Sequence, residues 1–398
     1  MGSEEDVSLK GEKRMSLGPL LFLTMIFFFN FIARVALAPL MPSIEKDLKI
    51  GHDEAGVLFF LLSLGYCIML LFSGFVSSRL NHRRTIVFSS FAVGGSLLMV
   101  ALSPHLWGIR IGLVLTGMAA GLYLPSGIAT VTELASSRDW GKAIAIHELA
   151  PNLGFVAAPF IAEVFLKWAS WRGVFEFLAI AAFVAGLLFL RFGKGGRSRG
   201  QAPDLRIFRI LLKDSTFWII AAFFALGIGA QFGVYAMLPL FLVSERGMDG
   251  SWANTLLGLS RLMAIAMTFF SGWMTDRFGA KQALKGVFLS TGLATVMLGL
   301  VPGSWLVLFI FLQPMFATTF FPAGFAALSK MGSASTKNVV VSLTVPIGFL
   351  VGGGAIPAGI GLIGEAGSFS TGLLLFGGFL LVGSFLTQAL KLAESSPN

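Results

Sequence analysis

Blocks of about twenty apolar residues recur along nearly the whole chain, parted by short polar turns, and this spacing leaves few folds open. A helix of that length crosses about 30 Å of hydrocarbon. Inside hydrocarbon the backbone must satisfy its own hydrogen bonds, which helices do within a single segment. Charged residues make up 12% of the chain and hydrophobic ones 56%, whereas an ordinary soluble domain carries roughly 25% charged residues. The 40 Phe and 48 Gly suit lipid-facing surfaces and close helix contacts. The pattern predicts an all-α membrane protein with helices near 17–41, 54–79, 85–103, 108–134, 141–166 and 173–192. A second six fall near 215–243, 252–276, 281–301, 304–329, 338–362 and 371–391. The one cysteine, Cys67, excludes an internal disulfide framework and reads as a packing residue. Residues 1–15 read as a polar tail, and the apolar block behind them is too long for a signal peptide.

The net charge of +9 raises the question of an anionic partner such as nucleic acid. Its distribution answers that question. With the amino terminus inside, 21 of the 29 Lys and Arg fall in segments on the cytoplasmic side, while only Lys46, Lys49, Arg110, Lys167, Arg172 and Arg246 fall outside. The excess of positive charge on one side is a topology signal that places both termini in the cytoplasm. No nucleic-acid partner is expected.

The longest internal polar stretch, 193–214, divides the chain into two similar parts. SGFVSSRLNHRR at 73–84 aligns with SGWMTDRFGAKQ at 271–282, at an offset of 198. LPSGIA at 124–129 aligns with FPAGFA at 321–326 at an offset of 197, and Pro151 and Pro159 find counterparts in Pro346 and Pro357. Such self-similarity marks a duplicated unit. The organisation expected is a tail at 1–16, a six-helix bundle at 17–192, a linker at 193–214 with a short interfacial helix at 205–212, a second bundle at 215–391 and a tail at 392–398.

The paired loops resemble the signature of the major facilitator superfamily, a glycine, an acid and an arginine followed by basic residues after the second and eighth helices. Gly272, Asp276, Arg277, Gly279 and Lys281 match it well. The first copy keeps Gly74 and Arg79 but carries Ser78 in place of the acid and Asn81 in place of the second glycine. The resemblance implies twelve transmembrane helices in two pseudo-symmetric six-helix bundles that rock about a central substrate site. It also implies that Gly74, Arg79, Gly272, Asp276 and Arg277 act in a cytoplasmic gate. With no acid at 78, Arg138 and Asp139 are candidate partners for the first copy.

Two charges deep within the apolar blocks stand out: Arg34 in the first helix, and Arg261 near the middle of the eighth. A charge at the centre of a membrane helix costs at least about 2.5–3.5 kcal/mol on insertion scales, so each needs a reason. Neither has a carboxylate within a helical turn of its own segment. A guanidinium is a planar fork of donors suited to carboxylates. The family resemblance implies that the first and eighth helices face one cavity from opposite halves, and that organic-anion members use arginines at these two helices. A small anionic substrate, a carboxylate, is therefore expected, with Asn30, Tyr66, Asn152, Gln231 and Tyr235 orienting it; Gln313, Thr318 and Thr319 lie at similar depth.

Glu133 lies near the cytoplasmic end of the fourth helix, and His147 and Glu148 lie two turns into the neighbouring fifth. A histidine beside acids can carry a coupling proton, because its ordinary pKa is about 6.5. The same three side chains also read as a structural network at the gate. Glu163, Glu176, Glu245 and Glu365 are expected to be solvated. Prolines at 125, 151, 159, 239, 322, 346 and 357 mark bends, and the glycines at 352–354 mark a close contact or hinge.

Export of drugs is the competing function. Against it, the membrane charges are positive, and Ala158 precedes Pro159 where drug exporters of the family carry a Gly-Pro motif. No HExxH, Gly-x-Ser-x-Gly or nucleotide loop points to an enzyme, and no cofactor or metal is expected. The expected partners are the anion, a coupling proton or counter-anion, and the bilayer of the inner membrane, with the protein a monomer.

Overall fold

The computed structural model describes residues 16–201, 212–330 and 337–390, apart from the side chains of Phe269 and residues 337–339. The interfacial helix expected at 205–212 thus lies outside the described residues except at Leu212. So do the tails, with Lys10, Lys13, Arg14 and Lys391, and two linker arginines, Arg206 and Arg209.

Among the described residues the regular structure is all helical. The first six helices are α1 (Leu17–Leu48), α2 (His52–Leu80), α3 (His82–Leu102), α4 (Leu106–Leu134), α5 (Ser137–Trp168) and α6 (Trp171–Phe192). The seventh, α7, spans Ser215–Glu245. The continuous segment Gly250–Leu300 is broken by a positive φ at Gly279 into α8 (250–278) and α9 (280–300). Then follow α10 (Trp305–Ser329), α11 (Val340–Glu365) and α12 (Phe369–Ala389). Among the described residues eleven segments are long and apolar enough to cross a membrane by themselves, one of them running over the Gly279 break. Counting α8 gives twelve. Outward-facing side chains such as Phe88, Leu187, Phe379 and Phe385 are more than half exposed, as hydrocarbon-facing groups are.

Prolines set the breaks. A proline removes the amide that would bond the carbonyl four residues back and crowds that carbonyl. The helix accordingly falters three residues before Pro39, Pro125, Pro151 and Pro322, at Ala36, Leu122, Glu148 and Thr319. The first helix was expected to end near 41. It instead restarts after Ala36 and continues through Pro42 to Leu48, where Lys49 in the left-handed region stops it. In α7 and α11 the irregularity takes another form: wide π turns at Gly229–Gly233 and Val351–Ala355.

Within the first bundle α2 and α4 touch backbone to backbone. A Cβ on Gly65 would lie 2.0 Å from the Val114 carbonyl oxygen, and one on Gly117 2.0 Å from that of Leu62. Small residues allow this approach, and dispersion rather than hydrophobicity stabilises it in lipid. The run at 352–354 serves a similar contact, since a Cβ on Gly352 would lie 2.5 Å from the Ala225 carbonyl oxygen.

The ends of the molecule differ. The linker end carries the turns at 81 and 279 and the start of the linker. There Gly196 donates to Glu133 Oε2 at 2.9 Å and accepts from the Arg83 amide at 2.7 Å, pinning 193–201 to the first bundle. At the distal end the bundles meet. The cross-bundle hydrogen bonds among the described residues all lie there: Asn254 Nδ2 donates to Glu163 Oε1 (2.7 Å) and the Pro39 carbonyl (3.2 Å), and the His52 amide donates to Glu365 Oε2 (2.7 Å). A Cβ on Gly56 would lie 2.7 Å from Ala358 Cα, so α2 and α11 are also in close contact there. Glu163 was expected to be solvated but is half-buried as a cross-bundle acceptor, whereas Glu365 and Glu245 are exposed as expected while also accepting, Glu245 from the Ser370 amide at 3.1 Å. Glu176 is exposed as expected.

Candidate functional site

Between the bundles, residues of α1, α2, α7 and α11 enclose a small cavity lined by Arg34, Tyr66, Phe232, Tyr235 and Phe349, among others. Arg34 is 8% exposed. Its guanidinium carbon lies 4.1 Å from the Tyr66 ring centre, 5.0 Å from Phe31 and 5.6 Å from Phe349, and its Nε has no hydrogen-bond partner. Arg261 is 3% exposed. It lies 4.6 Å from the Phe155 ring and 4.8 Å from that of Tyr235, which lines the cavity.

The π turn in α7 explains how Arg261 is held. A π turn shifts the ladder by one residue and frees backbone carbonyls. Here the Gln231 carbonyl accepts from Arg261 Nη2 at 3.2 Å and the Ala230 carbonyl accepts from Gln313 Nε2 at 2.8 Å. Arg261 Nε and Nη1, the Tyr235 hydroxyl and Gln231 Oε1 remain buried without partners. No acid pairs with either arginine among the described residues.

Magnitudes show what this arrangement lacks. A cation over an aromatic face gains about 0.5–2 kcal/mol, while removing an ion from water costs several kcal/mol. Rings alone therefore leave each guanidinium under-compensated. The rings form one connected set: Phe31 contacts Phe155 and Phe232, Phe155 contacts Tyr235, and Phe349 contacts Tyr66 and Phe232. This aromatic wall was not foreseen. With 40 phenylalanines in the chain, nothing in the sequence singles out these four.

The other orienting candidates sit elsewhere. Asn30 donates from Nδ2 to Ser89 Oγ at 3.3 Å, tying α1 to α3, and Asn152 donates to the Glu148 carbonyl at 3.0 Å within α5. Thr319 Oγ1 donates to the Phe316 carbonyl, while the buried Thr318 hydroxyl lacks a partner.

The three candidates for proton coupling separate into two groups. Glu133 faces the linker through Gly196 and Ser198. His147 is fully buried, stacked on Phe27 with 4.4 Å between ring centres. Its Nε2 lies 3.0 Å from the Tyr123 hydroxyl and its Nδ1 3.3 Å from Glu148 Oε1. Tyr123 in turn donates to the Leu23 carbonyl at 2.9 Å.

At the linker end Arg79, Asp276 and Arg277 are exposed, with Arg277 5.8 Å from the Trp273 ring. Gly74 and Gly272 are half-buried. Asp139 is engaged locally, accepting from Ser136 Oγ (3.0 Å) and Lys142 Nζ (3.4 Å), rather than with Arg79. The repeat is visible in the backbone: Asn81 (φ 68°) and Gly279 (φ 78°) take the same positive φ at the turns after α2 and α8.

A family model described as Major Facilitator Superfamily matches residues 23–312. The 4-hydroxybenzoate transporter PcaK of Acinetobacter baylyi is 22% identical, covering 89% of this chain and 83% of its own length. The quinolone resistance protein NorA of Staphylococcus aureus is also 22% identical, covering 72% of this chain and 75% of its own length. Among solved structures, a bacterial homologue of the human lysosomal transporter Spinster, in an inward-facing and occupied conformation, superposes with a TM-score of 0.80 at 16% identity, covering 96% of this chain and 97% of that one.

Proposed function

The chain belongs to the major facilitator superfamily, and on that footing we propose that it carries a small carboxylate anion across the inner membrane by alternating access. It is a multi-pass membrane transporter rather than an enzyme, as its family and relatives are. One observation carries the choice of cargo: two buried guanidiniums, one from each bundle, flank an aromatic-lined cavity with no acidic partner among the described residues. The relative that transports 4-hydroxybenzoate supports a carboxylate.

In this reading Arg34 and Arg261 bind the carboxylate, with Tyr66, Tyr235 and Gln231 orienting it and Asn30 and Asn152 bracing the helices behind them. The linker end is cytoplasmic, as the positive-inside rule requires, and the distal contacts close the outer side. The turns bearing Gly74, Arg79, Gly272, Asp276 and Arg277 close the inner side when the bundles rock. Transport is driven by symport of a proton or by exchange for a second anion, and the monomer suffices.

The competing reading, proton-driven efflux of drugs or amphipathic metabolites, draws on the aromatic lining and on the relative named for quinolone resistance. Two unpaired buried cations oppose a lipophilic cation as cargo. Counterflow in proteoliposomes separates the two, using labelled 4-hydroxybenzoate, lactate and oxalate against tetraphenylphosphonium. Saturable exchange of an anion that is lost in Arg261→Ala is the expected result. Exchange of the cation alone would replace the carboxylate with a drug-like substrate.

A further inference from the structure

One clamp occurs in both halves of the repeat, but its two copies are not equally spent. Lys281 is the counterpart of Arg83 at the offset of 198. Each reaches across to the end of the last helix of its own bundle. Lys281 Nζ donates to the Gln388 and Leu390 carbonyls at 3.0 and 3.1 Å, and Arg83 Nη2 donates to the Leu190 carbonyl at 3.1 Å. An ammonium has three N–H groups and a guanidinium five. Lys281 therefore uses two of its three, whereas among the described residues the Arg83 guanidinium uses one of five.

Arg83 borders a cavity of about 340 Å³ at the linker end, lined also by Glu133, Gly193, Lys194, Gly195 and Arg197, among others. The linker wall of this cavity is built tightly. Gly195 and Gly196 have φ of 81° and 69°, a region that glycine enters without steric cost. A Cβ on Gly196 would lie 2.8 Å from the Arg83 nitrogen and 2.9 Å from Thr130 Oγ1. Further along, the His82 amide donates to the Ser198 carbonyl at 3.1 Å and the Gly200 amide to the Ser77 carbonyl at 3.2 Å. Lys194 and Arg197 thus stand on backbone held at several points. Both are exposed, and neither side chain is in an ion pair among the described residues. Glu133 Oε2 accepts from the Gly196 amide at 2.9 Å. Three bases against this one carboxylate leave the lining with a formal charge of +2.

We propose that this cavity binds a phosphate group, in a site separate from the one that holds the transported anion. The fork of Arg83 suits two phosphate oxygens, and Lys194 and Arg197 add charge from the linker side. The position favours the headgroup of an anionic phospholipid over a soluble phosphate. Helix α6 ends at Phe192, which is 64% exposed as hydrocarbon-facing residues are, and the cavity wall begins at the next residue, Gly193. The site therefore lies where acyl chains give way to headgroups, the level at which basic clefts between helices take anionic lipids. Only the choice of leaflet, the cytoplasmic one, rests on the orientation proposed above.

Native mass spectrometry of the full chain in detergent tests this, with phosphatidylglycerol, phosphatidylcholine, glycerophosphoglycerol and inorganic phosphate as probes. The wild type should hold one phosphatidylglycerol tightly and phosphatidylcholine, which has no net charge, roughly 10-fold more weakly. Each base at a membrane surface contributes roughly 5-fold to the affinity for an anionic lipid. Lys194→Gln combined with Arg197→Gln should then weaken the site by about 30-fold, and adding Arg83→Gln by roughly 100-fold in all. The double variant leaves every hydrogen bond of the loop in place, so its loss of binding reports charge and not folding.

The two soluble probes separate the sources. Displacement of the lipid by glycerophosphoglycerol or inorganic phosphate supports a site for phosphate at large, and filling by the diacyl lipid alone supports a headgroup site. Phosphatidylglycerol held equally by the wild type and both variants overturns the proposal, as does equal binding of phosphatidylcholine. No transport enters this readout, so failure of the carboxylate reading would leave it standing.

Discussion

Arg34 and Arg261 are both buried cations in membrane helices, yet they are held differently. Arg34 reaches the cavity directly and rests on Tyr66, and among the described residues no backbone carbonyl accepts from its guanidinium. Arg261 sits behind Tyr235, fixed by the carbonyl that the π turn of α7 releases, with two N–H groups unspent. In the proposed reading the first is the point of capture and the second the anchor. A duplicated scaffold has thus placed its two cations at non-equivalent positions and given each a different support.

The largest expected effect breaks the pair outright. Hydrogen bonds to charged groups contribute about 1.5–3 kcal/mol, so Arg261→Ala or Arg34→Ala should lower anion exchange by roughly 100-fold at fixed substrate concentration. Lysine substitutions sharpen the contrast. Arg34→Lys keeps a charge at the cavity and should lose about 10-fold, whereas Arg261→Lys cannot hold both the Gln231 carbonyl and a ligand with a planar fork and should fall close to Arg261→Ala. Equal losses in the two lysine variants would remove the distinction between capture and anchor.

Tyr235→Phe is expected to matter less. It keeps the ring against Phe155 and Arg261 but removes a hydroxyl that is buried and unpartnered. Apparent affinity for the anion should weaken by about 3- to 10-fold, with thermal stability of the empty protein equal or slightly higher, since a buried unsatisfied polar group is costly.

Asn254→Ala tests the contrast between the two ends of the molecule. It removes two hydrogen bonds that join the bundles at the distal end, each worth about 1 kcal/mol net. The population with the distal end open should rise by roughly 30-fold, read by spin-label distances across that end. The smallest effect concerns the repeat itself. Asn81 holds a backbone conformation that costs a non-glycine residue about 1–3 kcal/mol, while its side chain caps α3 by accepting from the Arg84 amide. Glycine is nearly as good a cap. Asn81→Gly should therefore raise the melting temperature slightly.

Much of this architecture was legible in the sequence because lipid imposes strict rules. Span length, the break at the linker and the offset of 198 follow from hydrocarbon thickness and duplication, and the helix breaks follow from prolines three residues downstream. The positive φ at Asn81 was foreshadowed by its alignment with Gly279. Arg34 and Arg261 stood out as expensive charges. What did not show was everything decided by three-dimensional contact. The ring set around the cavity is drawn from many phenylalanines alike in sequence, and π turns have no strong local code. Glu163 looks solvated in one dimension because its partner, Asn254, comes from the other bundle. Glu133 and His147 lie close in sequence depth, yet one turns to the linker and the other to Tyr123.

The central claim is that one anion is bound between Arg34 and Arg261. Thermal unfolding of the purified protein with mono- and dicarboxylates, 4-hydroxybenzoate among them, tests it most directly, because a ligand that binds only the folded state raises its apparent stability. The account predicts that at least one carboxylate raises the melting temperature of the wild type, that Arg34→Ala and Arg261→Ala each abolish the shift, and that tetraphenylphosphonium gives none. A carboxylate-induced shift that persists in both variants, or a shift produced only by the cation, would contradict it.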